Sequence, residues 1–151
     1  MDALKSLEIM DWQGPFGEVD RRDAIAALES GCVLFFPRLS FVLHEEEKPL
    51  LTAELSSGRA KNISLAPSGK LKHESGSAEE RALLQGMMQR FATDAVSLVS
   101  GLFPGYAAKL ERARTSYRPS EIAGRKYSPI HDDTRLHVDA FPTRPMRGRR
   151  I

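Results

Sequence analysis

The chain has 151 residues, enough for one domain with a buried core, and its 41% hydrophobic and 28% charged residues are ordinary for a soluble globular protein. No apolar run reaches the roughly 20 residues that a membrane-spanning helix needs, and the N-terminus lacks the pattern of a secretory signal. The single cysteine, Cys32, excludes an internal disulfide and fits a reducing compartment, so we expect a cytoplasmic protein.

The net charge of +2 is unevenly distributed along the chain. Residues 1–108 carry a net charge of −4, and residues 109–151 carry +6. The basic part could bind an anion, whether nucleic acid, an anionic membrane surface or a small acidic ligand. A solvated face with a few structural arginines explains the charge equally well.

The first helices and strands are predicted from apolar patterns and from the glycine and proline residues near their ends. An apolar pattern over residues 20–28 predicts a helix that ends before Gly31. The apolar run 32–36 predicts a buried strand. A second helix is expected to begin near residues 44–47, with Pro49 in its first turn.

The longest helix is predicted after a polar stretch, residues 56–76, which contains one short strand at 63–65. Ser77 and Glu80 form the capping-box pattern that opens a helix of about five to six turns. Gly101, Pro104 and Gly105 are expected to end it. The side chains expected to pack inward on the sheet are Leu84, Met88, Phe91 and Val99.

Beyond Gly105 the periodicity changes from helical to alternating. Residues 110–118 predict a strand, with Tyr117 on the core side. The opposite face of this strand is expected to carry Arg112, Arg114, Ser116 and Arg118. Residues 134–141 alternate again and predict a second strand that bears His137 and Asp139 on one face.

Three histidines are followed by an acidic residue two positions later: His44, His131 and His137. On a helix such positions face apart, which argues against the first pair, and the second pair lies in a polar turn. On a strand they face the same way, so His137 and Asp139 can converge on one cation. A distant second histidine would complete the facial triad of non-haem iron(II) oxygenases. A solvent-exposed His–Asp pair remains the alternative.

Several stretches of the sequence carry a family resemblance. The most specific lie within residues 112–151 and are RARTSYRP (112–119), IAGR (122–125), DDTRLHVDAFP (132–142) and RGRRI (147–151), and upstream stretches are LFFP (34–37) and KNIS (61–64). In these stretches the chain resembles the Kdo hydroxylase family, iron(II)/2-oxoglutarate-dependent dioxygenases that hydroxylate 3-deoxy-D-manno-oct-2-ulosonic acid (Kdo) of bacterial lipopolysaccharide.

The resemblance implies an α+β fold in which N-terminal helices pack on a partial double-stranded β-helix, a cupin-like jelly roll truncated on its C-terminal side. We expect one domain over residues 1–151, with a mostly helical layer at 1–105 and the first jelly-roll strands at 106–151. The resemblance also assigns iron(II) ligation to His137 and Asp139. The second histidine ligand and the main 2-oxoglutarate anchor are expected beyond Ile151, so the chain is read as an N-terminal fragment.

The implied reaction hydroxylates Kdo with iron(II), 2-oxoglutarate and dioxygen, and it releases succinate and CO2. Arg114 and Arg118 are candidates for contacts with the co-substrate or substrate, because arginine forks match carboxylates; structural salt bridges are the alternative. The implied partner is a Kdo-containing lipid A precursor, with peripheral contact at the inner membrane. The arginines that could touch an anionic membrane surface are Arg144, Arg147, Arg149 and Arg150, unless they belong to a plain solvated loop.

Three other hypotheses remain open. The protein could be a 2-oxoglutarate oxygenase with another substrate, a non-catalytic fragment, or an anion-binding module. Nucleic acid is not an expected partner, because the basic end contains no zinc-finger, helix-turn-helix or RNA-binding motif.

Overall fold

The computed structural model of this chain describes residues 3–52, 55 and 62–119, which belong to one compact unit, residues 1–120. Its helices are α1 (Glu18–Glu29), α2 (Ala78–Leu102) and α3 (Pro104–Ala107), together with a 3-10 helix (Glu45–Leu50). Its strands are β1 (Leu4–Ser6), β2 (Val33–Phe35), β3 (Ile63–Leu65), β4 (Leu71–Lys72) and β5 (Thr115–Tyr117). The helices and small sheets confirm the α+β class, while the jelly-roll architecture and the domain boundaries stay predictions.

The strands form two small sheets. β1 and β2 pair in parallel, and β3 is the central strand of an antiparallel sheet of order β4-β3-β5. The strand predicted at 63–65 is confirmed. Of the strand predicted at 110–118, only Thr115–Tyr117 forms, because these are the three residues that pair with the three-residue strand β3.

Helix α2 begins where the capping box predicted. The Glu80 backbone N–H donates to Ser77 Oγ at 3.2 Å, and the Ser77 backbone N–H donates to Glu80 Oε2 at 2.7 Å. The helix has 25 residues, which is about seven turns and longer than predicted. Gly101 does not end it, and the helix continues to Leu102, two residues before Pro104.

Two hydrophobic clusters lie along α2. The cluster at its C-terminal half contains Leu7, Ile9, Phe16, Ala24, Leu98, Leu102 and Phe103. The cluster at its N-terminal half contains Leu50, Leu55, Ile63, Leu65, Leu84, Met87 and Met88. The first cluster joins α2 to α1, β1 and β2, and the second packs α2 against the antiparallel sheet.

Most of the predicted inward positions of α2 are confirmed. Leu84 and Met88 are buried, and Val99 is partly buried. Phe91 is 39% exposed, so the prediction is wrong there. It lies between the two clusters, where the rings of Trp12 and Phe41 contact it edge-on, with centroids at 5.7 and 5.3 Å.

Two predictions for the first 52 residues need correction. The strand after α1 forms as β2, but Val33 and Phe35 are exposed, because a two-stranded sheet has only one covered face. The second helix forms as a 3-10 helix, and Pro49 is its fifth residue rather than part of its first turn. Helix α1 (Glu18–Glu29) is confirmed, with Gly31 just beyond it at φ +83°.

Two glycines of α2 give opposite predictions for the same substitution. A Cβ at Gly101 would lie 2.3 Å from Phe16 Cε2, whereas a Cβ at Gly86 would have no atom within 4 Å. Gly86→Ala should therefore raise the free energy of unfolding by about 0.5–1 kcal/mol through helix propensity. Gly101→Ala should lower it by about 1–3 kcal/mol, because Phe16 must move. Urea denaturation of both variants measures this, and equal effects would show that Phe16 is not packed on Gly101.

Candidate functional site

The two predicted iron ligands, His137 and Asp139, lie outside the described residues, as do His131 and Asp133. Within residues 3–52, 55 and 62–119, no group of three or more His, Cys, Asp or Glu side chains is placed to hold a metal ion. The assignment of His137 and Asp139 therefore stays a prediction. In the same part of the chain, no helix is long and apolar enough to cross a membrane.

His44 has a different environment from the one predicted. His44 is the N-cap residue of the 3-10 helix and lies before its first turn. The prediction that helical geometry turns the side chains of His44 and Glu46 apart therefore does not apply. Its Nδ1 lies 3.8 Å from Glu46 Oε1 and 3.8 Å from Glu47 Oε1. His44 and Glu46 are exposed, and Glu47 is engaged elsewhere, so these contacts belong to the helix cap.

Glu47 is a buried carboxylate paired with an arginine of α2. It is 4% exposed, and its Oε2 accepts hydrogen bonds from Arg90 Nη2 and, at 2.8 Å, from the His44 backbone N–H. Burial raises the pKa of Glu47, but the hydrogen bonds from Arg90 and His44 and the charge of Arg90 outweigh it, so the pKa lies below its ordinary value. Arg90 also donates to Val42 O at 2.8 Å and covers the Phe41 ring at 4.3 Å from its centroid. The pair fastens residues 41–47 to α2.

The antiparallel sheet has one apolar face and one polar face. Ile63 and Leu65 are fully buried against α2, and Tyr117 packs beside them. The Tyr117 hydroxyl donates to Leu50 O at 2.9 Å, and burial raises its pKa, so it is a protonated donor at neutral pH. This confirms the prediction that Tyr117 points to the core.

The opposite face is polar. Ser64 lies between Ser116 on β5 and Lys72 on β4 in the strand register. Side chains alternate along strands, so these three share the face turned away from α2. One row further on, Arg118 Nε donates to Asn62 Oδ1 at 2.8 Å.

The candidate arginines have different environments. Arg118 is half-buried and held by Asn62, and Arg114 is exposed. Arg112 donates from Nη2 to Ala66 O at 3.2 Å, while its buried Nε has no hydrogen-bond partner within the described part of the chain. The described structure thus places Arg118 at the polar face, and the ligand contacts predicted for Arg114 and Arg118 stay predictions.

A groove of about 220 Å³ lies beside β5. Most of its lining is apolar and comes from α2 and the segment before the 3-10 helix, including Phe41, Leu43, Met87 and Phe91. Among the described residues that line it, the Tyr117 hydroxyl is the one titratable group, and this hydroxyl donates to the Leu50 carbonyl oxygen. The groove therefore offers shape and apolar surface rather than acid–base chemistry.

Two features of this region were missed in the sequence. Asn62 lies in the stretch 61–64 that carried part of the family resemblance, but nothing there predicted its contact with Arg118. Glu47 lies in an acidic run, residues 45–47, that is typical of a solvated surface. Its partner Arg90 is 43 residues away, and no local pattern links the two.

Comparison with known proteins gives consistent findings. The family model described as 3-deoxy-D-manno-oct-2-ulosonic acid (Kdo) hydroxylase matches residues 11–151. A crystal structure of the Kdo hydroxylase KdoO, a non-heme Fe(II) alphaketoglutarate dependent dioxygenase, in complex with cobalt(II) is 45% identical, with a TM-score of 0.87 over 93% of this chain and 48% of that chain. Its complex with alphaketoglutarate and Fe(III) is 44% identical, with a TM-score of 0.85 over 92% of this chain and 46% of that chain.

A third structure, of KdoO with succinate and Fe(III), is 44% identical, with a TM-score of 0.85 over 93% of this chain and 47% of that chain. The chain therefore spans about half the length of these solved relatives. No curated protein matches the chain.

Proposed function

Because the chain belongs to the Kdo hydroxylase family, we propose that the protein takes part in hydroxylation of Kdo by an iron(II)/2-oxoglutarate-dependent dioxygenase. The observation that carries the proposal is the family match over residues 11–151, which includes both His137 and Asp139. It is supported by the 44–45% identity to structures of KdoO in complex with Fe(III) and alphaketoglutarate, with Fe(III) and succinate, or with cobalt(II).

His137 and Asp139 are the proposed protein ligands of the iron. An imidazole and a carboxylate two residues apart are a donor set that suits iron(II), and they leave coordination positions for other ligands. When bound, the iron supplies the oxidation chemistry that no amino-acid side chain provides. The task of the protein is to bind and orient the two organic reactants beside it.

Both organic reactants are anions. 2-Oxoglutarate and Kdo carry carboxylates, which the planar fork of an arginine binds with two parallel hydrogen bonds. Arg118, half-buried on the polar face of the antiparallel sheet, is suited to such a contact, and the exposed Arg114 is the second candidate. We propose that this antiparallel sheet forms the first strands of a jelly roll. In this arrangement the sheet face covered by α2 is the outer face of the jelly roll.

The physiological substrate in this proposal is a Kdo-containing lipid A precursor. A lipid-linked substrate stays at a membrane, so we propose a cytoplasmic protein with peripheral contact at the inner membrane. Arg144, Arg147, Arg149 and Arg150 would approach the anionic lipid surface, where each basic residue contributes about 1 kcal/mol.

The test is product analysis with the full-length protein. Incubated with iron(II), 2-oxoglutarate, dioxygen and Kdo-containing lipid A precursor, it should form succinate and a lipid product with one additional oxygen atom. Mass spectrometry of the released sugar should place that oxygen on Kdo. Succinate formation that is independent of the Kdo lipid would contradict the proposed substrate, and the absence of succinate would contradict the enzyme class.

A further inference from the structure

Asn62 and Arg118 form a cross-strand pair at the end of the antiparallel sheet. Ile63 pairs with Tyr117, so the antiparallel register puts Asn62 opposite Arg118. The two side chains meet in a hydrogen bond of 2.8 Å from Arg118 Nε to Asn62 Oδ1. Because the bond uses Nε, it fixes the plane of the guanidinium group relative to the sheet.

The face that this pair shares is polar and positively charged. It carries Lys72, Ser64 and Ser116 in one row and Asn62 with Arg118 in the next. These five side chains include two cations, two hydroxyls and one amide, and none carries negative charge. Such a set supplies hydrogen-bond donors and positive potential, which are what a carboxylate requires.

The packing of the sheet separates this face from the core. Ile63 and Leu65 turn the opposite way and are completely buried with Leu84 of α2. The polar face is therefore not needed to hold the helix, and its composition is not explained by packing on α2. An arginine fixed by an amide is also less costly to order on ligand binding than a freely rotating one.

We propose that Asn62 is a positioning residue that orients the Arg118 guanidinium on this face to bind a carboxylate of the substrate or co-substrate. The inference rests on the proposed function, since both reactants of that reaction are carboxylates. Asn62 does not touch the ligand in this proposal. It acts through Arg118.

Two substitutions at Asn62 separate orientation from simple structural support. Asn62→Ala removes the acceptor of the Nε–H, whereas Asn62→Asp keeps an acceptor and turns the hydrogen bond into an ion pair, but it neutralises the local positive charge. If Asn62 only supported the fold, Asp would restore whatever Ala removes. If Asn62 positions Arg118 for an anion, Asp should preserve stability and still impair carboxylate binding.

The experiment measures kcat and KM of the full-length protein for 2-oxoglutarate and for the Kdo lipid, together with thermal unfolding. We expect each Asn62 variant and Arg118→Gln to raise one of the two KM values about tenfold, the effect of losing one good charge-assisted hydrogen bond, with kcat within about twofold. Arg38→Ala, which removes an exposed arginine from an ion pair with Glu8, is the matched control and should leave both KM values unchanged. The KM that rises identifies which carboxylate binds.

The measurements on the Asn62 variants test the positioning role separately from the enzyme class. Unchanged KM values in Asn62→Ala, or full recovery in Asn62→Asp, would overturn the positioning role even if the enzyme hydroxylates Kdo. If the protein shows no turnover, calorimetric titration with 2-oxoglutarate and with free Kdo replaces the kinetics. Binding of one carboxylate that both Asn62 variants weaken would then support the inference, and no binding by the unmodified protein would overturn it.

Discussion

His137→Ala and Asp139→Ala, each made in the full-length protein, should abolish 2-oxoglutarate turnover while leaving the fold intact. In the proposed site each residue is one of three protein ligands of the iron. Loss of a residue that merely orients a metal ligand lowers metal affinity or activity about 10- to 100-fold, so loss of a ligand itself should cost about 100-fold or more. Succinate formation and the iron content of the purified variants measure the effect.

The chain contains a matched control for this experiment. His131 and Asp133 repeat the same triplet spacing six residues earlier, in a stretch whose sequence predicts a polar turn. His131→Ala and Asp133→Ala should therefore retain iron and most of the activity. Near-normal turnover in the His137 or Asp139 variants, or loss of iron in the control variants instead, would refute the assignment of the ligands.

Local sequence patterns predicted the elements whose signals are local. The capping box formed by Ser77 and Glu80 defined the start of α2, because the two reciprocal hydrogen bonds involve only residues three apart. The three-residue strand β3 is likewise a local pattern, in which Ser64 alternates with the apolar residues Ile63 and Leu65. The end of α2 was misjudged because Gly101 serves a packing purpose: Phe16 lies where its side chain would be.

Features that depend on distant pairing were not predictable. Whether Val33 and Phe35 are buried depends on the number of strands and layers around β2, and β2 pairs with β1 alone within the described part of the chain. The length of β5 is limited by β3, which lies about 50 residues earlier. Sequence alternation over residues 110–118 gave the correct face for Tyr117 but could not give the extent of the strand.

The candidate site likewise has one part that local sequence patterns predicted and another part that depends on distant contacts. The spacing of His137 and Asp139 is a local pattern, and the family resemblance gave it a chemical meaning. The contact between Asn62 and Arg118 joins residues 56 positions apart and depends on the register of β3 and β5. The burial of Glu47 depends on Arg90, and nothing in the acidic run around it distinguishes it from the exposed Glu45 and Glu46.

That buried pair gives the largest stability effect expected for the described residues. Glu47→Gln leaves the Arg90 guanidinium without its counter-ion, and Arg90→Met leaves the more deeply buried Glu47 carboxylate without one. Breaking a fully buried pair costs about 3–5 kcal/mol; because the Arg90 side chain is 28% exposed, we expect about 2 kcal/mol for Glu47→Gln and about 3 kcal/mol for Arg90→Met. Glu46→Gln, at an exposed neighbouring carboxylate, is the control and should change the free energy of unfolding by less than about 0.5 kcal/mol.

A double variant tests whether the two effects come from one interaction. Glu47→Gln combined with Arg90→Met removes both charges, so neither is left buried alone. Its destabilisation should be smaller than the sum of the single effects, since contacting residues are not additive. Strict additivity in a double-mutant cycle measured by urea denaturation would show that the two residues act independently.

The pH dependence of stability provides a second, independent measurement of the same pair. Burial raises the pKa of Glu47, but the hydrogen bonds from Arg90 and His44 and the charge of Arg90 lower it by a larger amount. The pKa of this carboxyl in the folded protein therefore lies below its ordinary value of 4.5. A carboxyl with a lowered pKa stabilises the fold above its unfolded pKa, and this contribution is lost as the pH falls through the folded value. The difference in the free energy of unfolding between the unmodified protein and Glu47→Gln should therefore be constant near neutral pH and shrink as the pH falls below about 4.5. A difference that stays constant into acid would mean that the Glu47 carboxylate does not stabilise the fold through its charge.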